Sequence, residues 1–154
     1  MMKLCCDVLT ALNGKTLVTA ESCTGGGIGA AITAVPGSSA IYKGGIISYT
    51  NEIKESILGV DGALLNSVGA VSAQVAEAMA AGARDRLNAD VAVSVTGLAG
   101  PGGDESGNPV GRVYIGYSDA NRTFSKEFTF SGDRDAVRIA AITNALQIVL
   151  NCNK

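Results

Sequence analysis

Ser22 follows a short strand-like run, Thr16 to Ala20, after Glu21, and stands just ahead of Gly25, Gly26 and Gly27. A serine where a strand runs into a helix N-terminus can present its hydroxyl outward while neighbouring backbone N–H groups face an incoming oxyanion. That setting suits an acyl-transfer nucleophile. It also suits plain helix capping by Ser22 or Thr24, and the local pattern leaves both open. A nucleophilic serine needs a base, and the chain has no histidine, which excludes Ser-His-Asp and Cys-His chemistry and histidine-containing zinc sites. Lysine, carboxylate or tyrosine remain. Of the six lysines, Lys3, Lys15 and Lys154 lie near the termini or a turn, and Lys126 belongs to a solvated hairpin strand. Lys43 and Lys54 are left. Lys54 follows the strand exit Tyr49-Thr50-Asn51-Glu52, where partial desolvation would lower its pKa toward that of a working base. The alternative is a surface lysine paired with Glu55.

Around this pair stand further candidates. Tyr49 could relay a proton or simply pack at a strand end. Glu21 could hold Lys54, bind substrate or answer a helix dipole. Cys23 reads as a small buried cysteine pointing away from Ser22, although a thiolate at a helix start is the alternative. Asp104 and Glu105, adjacent in a flexible loop, signal a hard cation only weakly. An anion has three candidate sources of donors: the N–H groups of Thr24 to Gly27, the Thr96-Gly97 turn, and Arg134 with Arg138, four residues apart on one helical face. Asp133 and Asp135 offer those arginines a simpler role in local ion pairs. No GxxxxGK[ST] string is present, and GGGIG at Gly25 to Gly29 is not a dinucleotide fingerprint.

These residues need elements to hold them. Leu4, Val8 and Leu12 recur at helical spacing before Asn13-Gly14, and Thr16 to Ala20 reads as a strand. Ile28, Ile32 and Val35 predict a helix ended by Pro36-Gly37. Ala40 to Thr50 favours a strand in which Gly44-Gly45 marks a bulge or a close backbone approach, and Asn51 caps a helix over Glu52 to Leu58. Ser72 caps a helix that turns Val75, Met79, Ala83 and Leu87 inward. Asp90 to Thr96 is a strand, and Gly97 to Gly111 is a long Gly/Pro loop of the kind that carries function. Arg112 to Ser118 and Thr123 to Phe130 form a hairpin, and Gly132-Asp133 opens a last helix with an Ile139, Ile142, Leu146, Val149 stripe. The alternation predicts one domain over residues 1–154, an α/β protein built as a three-layer α/β/α sandwich with a mixed, mostly parallel sheet. Ligands in such sheets gather beyond the carboxyl ends of parallel strands, where Ser22 to Gly27 and Thr96 to Gly103 both fall.

Composition narrows the partners. With 47% hydrophobic and 17% charged residues in 154, the chain can bury a core and is not a disordered one. A net charge of −2 without a basic run leaves no source for broad capture of nucleic acid or anionic membrane. Cys5, Cys6, Cys23 and Cys152 lack CxxC spacing and read as reduced thiols. Asp7 interrupts any signal core, and no apolar run is long enough to span a bilayer, so a cytoplasmic protein is expected.

Six strings occur in order: AESCTGG from Ala20, YTNEIK from Tyr49, GAVS from Gly69, TGLAGPGG from Thr96, PVG from Pro109 and GDRDAVR from Gly132. Together they resemble the CinA C-terminal-domain family in its stand-alone nicotinamide-nucleotide amidase (PncC type) form, over nearly the whole chain. The resemblance implies hydrolysis of the carboxamide of nicotinamide mononucleotide to nicotinate mononucleotide and ammonia, with no metal or other cofactor, in a homo-oligomer. By motif position it puts the nucleophile on Ser22 and the family's tyrosine and lysine on Tyr49 and Lys54. Substrate would then meet Thr24, Gly25, Gly26, Thr96, Gly97, Arg134 and Arg138, with N–H groups around Thr24 and Gly25 holding the oxyanion. Rival readings are a non-catalytic nucleotide-binding or regulatory module and an amidase for another small carboxamide. Thr50, Asn108 and Ser131 replace residues frequent in the family, and Asn108 bears on loop charge and substrate preference. The additional N-terminal domain of larger CinA proteins is not expected here.

Overall fold

The computed structural model describes residues 1–154. Along the chain run α1 (Met2–Leu12), β1 (Leu17–Glu21), α2 (Gly27–Thr33), β2 (Tyr42–Ile47), α3 (Asn51–Ser56), α4 (Gly62–Val68), α5 (Ala73–Arg86), β3 (Val91–Gly97), β4 (Arg112–Ser118), β5 (Thr123–Thr129) and α6 (Arg134–Cys152). One sheet takes the strands in the order β2-β1-β3-β4-β5. β1 pairs in parallel with both β2 and β3, while β4 is antiparallel to β3 and β5. Only β4 runs against the other strands, so the sheet is mixed and mostly parallel.

The period of two in the strands sorts residues between two cores. Leu17, Val91, Val93, Val95, Val113, Ile115 and Tyr117 join residues of α1, α2 and α6 on one face. Val18, Ala20 and Ala92 meet Val75, Met79, Ala80 and Ala83 of α5 on the other. α5 lies close on this face because Gly116 has no side chain: a Cβ there would run into the Ala76 carbonyl. Ser94 also donates its hydroxyl to that carbonyl. Farther along α5, Gly82 sits against the Leu58 carbonyl. The small residues of this helix thus bring it close to its own chain.

Local differences from the sequence reading have simple causes. Thr50, not Asn51, caps α3, its hydroxyl accepting from Ile53 N–H at 3.4 Å, because extended backbone continues through Thr50. The bulge falls at Lys43, skipped in the register that pairs Leu17 with Tyr42 and Val18 with Gly44, while Gly45 is the close approach, where a Cβ would run into the Thr19 and Tyr42 hydroxyls. α4 was not anticipated, although Asp61 caps it by accepting from Ala63 N–H. In α6, Ile139 points outward and is 58% exposed, whereas Val137, Ala141, Ala145, Leu146 and Val149 are buried. Small alanines face the sheet there, and a stripe chosen by side-chain size misses them.

Candidate active site

β2, β1 and β3 are parallel, so their carboxyl ends share one edge of the sheet. Pairing continues one residue beyond β1 and β2: Ser22 N–H donates to Val95 O at 2.9 Å and Ser48 N–H to Glu21 O at 2.8 Å. Since β1 lies between β2 and β3, the chain leaves it toward one neighbour and returns on the far side, the switch point where α/β sheets open a crevice. Alternation then parts two adjacent polar residues. Glu21 falls on the α2 side with Thr19, and Ser22 falls on the α5 side with Val18 and Ala20.

Lys54 enters this crevice from α3. It is 1% exposed, and its Nζ donates to Ser48 O at 2.8 Å and lies 3.0 Å from Ser22 Oγ. Lys54 has no carboxylate partner among the ion pairs of the protein, and Glu55 is exposed. The surface pair with Glu55 is therefore not what forms. Burial without a counter-charge disfavours the ammonium and lowers the Lys54 pKa from 10.5 to about 8.

Glu21 does not touch Lys54. Its buried carboxylate accepts from the N–H groups of Gly26 at 3.1 Å, Ile28 at 3.0 Å and Gly29 at 3.0 Å, capping α2 in place of a side chain on Gly26. Gly25 and Gly26 make this turn with φ of 59° and 94°, left-handed conformations that favour glycine. The N–H of Gly25 donates to Ser22 O and that of Gly27 to Thr24 O, each at 3.0 Å. The N–H groups of Gly25, Gly26 and Gly27 are thus all spent within the chain, and the start of α2 offers no phosphate cradle. Within this turn the N–H groups of Cys23 and Thr24 have no hydrogen-bond partner. The Cys23 thiol is buried, which pushes its pKa up to about 11 and keeps it protonated.

Two adjoining clefts meet at Ser22. The larger, about 620 Å³, is lined by Lys54, Tyr49, Thr96, Gly97, the Asn66–Val71 segment and Asp104 to Ser106. The smaller, about 170 Å³, is lined by Cys23, Tyr49, Gly97 to Gly100, Gly102 and Arg134. Thr96 is buried and donates its hydroxyl to Ala70 O at 2.8 Å, tying the cleft wall to the sheet edge. Gly97 borders both clefts, and a Cβ there would press on Arg112 O and Val113. Tyr49 is 58% exposed at the lip, and its hydroxyl accepts from Arg134 Nη2 at 3.0 Å. Arg134 Nη1 also donates to Gly100 O at 2.7 Å. Lys54 therefore reaches Ser22 directly, with Tyr49 turned to Arg134. Arg138 lines neither cleft and donates to the carbonyls of Cys23 and Thr24.

No three Cys, Asp or Glu side chains gather as a metal site would require. Asp104 instead accepts from Asn108 N–H at 2.9 Å and Nδ2 at 2.8 Å, bonds that hold its pKa below the usual carboxylate value. Two contributors to the site escaped the sequence reading: the Ser48 carbonyl, which no residue type signals, and the Asn66–Val71 wall. The cap pattern at Asp61 could have revealed the latter. No helix is long and apolar enough to cross a membrane.

The fold and site define a three-layer α/β domain with a buried serine–lysine contact at the carboxyl edge of a mixed sheet. The chain belongs to the CinA C-terminal domain family, whose sequence model matches residues 2–153. A nicotinamide-nucleotide amidohydrolase PncC of Pseudomonas putida is 49% identical over 136 residues, 86% of this chain and 85% of that protein. A CinA-like protein of Thermosynechococcus vestitus is 51% identical over 138 residues, 88% of this chain but 33% of that protein. The chain thus spans about a third of the length of such relatives. Among solved structures, competence/damage inducible protein CihA from Agrobacterium tumefaciens has a TM-score of 0.95 at 39% identity, over 99% of this chain and 95% of that one. A competence-damaged protein (CinA) superfamily protein from Escherichia coli gives 0.96 at 34% identity, over 98% and 89%.

Proposed function

We propose that this chain hydrolyses the carboxamide of nicotinamide mononucleotide to nicotinate mononucleotide and ammonia, with Ser22 as nucleophile and Lys54 as general base. The observation that carries the reading is the 3.0 Å contact between Lys54 Nζ and Ser22 Oγ in a buried setting without a carboxylate. The PncC relative, of which this chain covers 85%, supports the substrate class.

With a pKa of about 8, about a tenth of Lys54 is neutral at pH 7, against roughly three in ten thousand for an exposed lysine. The Ser48 carbonyl only accepts, so it takes one amine hydrogen and leaves the lone pair free to turn to Ser22. Lys54 takes the hydroxyl proton as Ser22 Oγ attacks the carboxamide carbon, and the N–H groups of Cys23 and Thr24 receive the oxyanion. The Lys54 ammonium then gives its proton to the departing amide nitrogen as the C–N bond breaks, leaving ammonia and an ester on Ser22. Water attacks the ester with its proton passing to Lys54, which returns it to Ser22 Oγ as the acid leaves. Arg134, bordering the smaller cleft, supplies charge for the phosphate, and the Tyr49 ring covers the pyridine from the lip.

Ammonia release from nicotinamide mononucleotide tests this reading. Ser22→Ala and Lys54→Ala are each expected to lose at least about 10³-fold in kcat while keeping cooperative thermal unfolding. Full activity in either removes that residue from the chemistry. Binding of the nucleotide by the wild type without ammonia release would mark a binding module instead.

A further inference from the structure

Arg138 stands beside the site but outside both clefts, in contact with the turn that follows Ser22. Its Nε donates to Cys23 O at 3.2 Å and its Nη2 to Thr24 O at 3.1 Å. Each carbonyl shares a planar peptide with the next N–H, and the two ends point in opposite directions. Holding Cys23 O toward α6 turns Thr24 N–H away from α6. Holding Thr24 O the same way directs Gly25 N–H onto Ser22 O, at 3.0 Å. That bond in turn fixes the Ser22–Cys23 peptide and aims Cys23 N–H away from Gly25. One guanidinium therefore sets both N–H groups of this turn that lack a partner. Cys23 is 6% exposed and Thr24 0%, and unpaired N–H groups in buried backbone are rare. Two in succession beside a serine in contact with a lysine call for a ligand oxygen.

The inner fork of the guanidinium is also already committed. Nε and Nη2 are spent on carbonyls, and Nη1 faces Asp135 Oδ1 at 3.8 Å. The outer Nη1/Nη2 edge that remains borders neither cleft, so it does not face a phosphate bound in either one.

We infer that Arg138 is a positioning residue that orients the Cys23 and Thr24 N–H groups toward the oxyanion, and that it is not a phosphate ligand. The inference rests on the amide hydrolysis proposed above. Arg138→Lys keeps the charge, yet one ammonium cannot reproduce a planar fork spanning two carbonyls. Arg138→Ala removes both.

The test measures kcat and KM with nicotinamide mononucleotide and with nicotinamide riboside, which lacks the phosphate. Both variants are expected to lose about 10²-fold in kcat, by the same factor on the two substrates, with KM changed less than about threefold. A rise in KM confined to the nucleotide, or an unchanged kcat, overturns the inference. Thermal melts show whether the variants fold, and if Arg138→Ala does not, Arg138→Lys decides. If neither folds, the wild type decides: an aldehyde analogue of the substrate, which adds to Ser22, should move the Cys23 and Thr24 amide proton resonances downfield. Absence of that shift refutes the assignment. A wild type that releases no ammonia from either substrate refutes the amidase reading, whereas Arg138 variants with wild-type kcat beside an active wild type refute this inference alone.

Discussion

Replacing Lys54 by methionine tests whether its ammonium is held at a cost to the fold. The drop from 10.5 to about 8 means that charging Lys54 in the folded protein is disfavoured by about 3 kcal/mol relative to the unfolded chain. The folded pKa is the lower one, so between these values the unfolded state binds more protons and stability rises with pH. The cost is fully present below about pH 8 and is relieved as the pH approaches 10.5. Between pH 7 and pH 10 the wild type should gain about 2.5 kcal/mol from this group alone. Lys54→Met cannot show that gain. Its absolute stability also reflects loss of the bonds to Ser48 O and Ser22 Oγ, each worth about 1 kcal/mol, so the informative quantity is the change with pH. Urea unfolding of both proteins at pH 7, 8, 9 and 10 gives that difference directly, and titration of Cys23 and Tyr117 largely cancels in it. Parallel stability profiles would refute the buried ammonium. The same pKa requires kcat/KM to rise about tenfold per pH unit below pH 8 and then level off, and a flat profile from pH 6 to 9 would show that Lys54 is not the base.

Other outcomes follow from contacts around the crevice. Arg134→Ala removes the cation of the smaller cleft and its bonds to Tyr49 and Gly100, so KM for the nucleotide should rise about tenfold while KM for the riboside changes little. Equal effects on both substrates would deny it a phosphate role. Glu21→Gln sets an amide NH₂ against the N–H groups of Gly26, Ile28 and Gly29, and should cost about 2–4 kcal/mol in urea unfolding at pH 7. A loss under about 0.5 kcal/mol would show that the α2 cap does not depend on the carboxylate.

Ser22 was legible because strand, polar turn and glycines are written consecutively, and Lys54 because eliminating histidine left few bases. What the sequence could not express was how their backbones meet. Nothing in the residue types says that Lys54 would also find the Ser48 carbonyl, since any residue at position 48 brings one. Asn51 and Thr50 are both good caps, and the choice depends on where β2 stops being extended. Arg134 and Arg138 share a helix face, yet one reaches Tyr49 and Gly100 and the other the Cys23 and Thr24 carbonyls, a split decided by the turn beneath them.

The strand period also explains how a lone ammonium can stay poorly compensated in a fold that has a buried carboxylate one residue away from its serine. Had Glu21 and Ser22 shared a face, Glu21 would have paired with Lys54, and a salt bridge would hold the lysine charged and useless as a base. Alternation sends Glu21 to the other side, where the start of α2 supplies Gly26, Ile28 and Gly29 N–H groups as its partners. Those bonds satisfy the carboxylate and, in doing so, remove the α2 donors that would otherwise compete for an anion. Lys54 is left with a carbonyl and a hydroxyl, neither able to neutralise it, so desolvation sets its pKa. A single residue of register in β1 thus separates a carboxylate satisfied by its own donors from an amine left without a counter-charge.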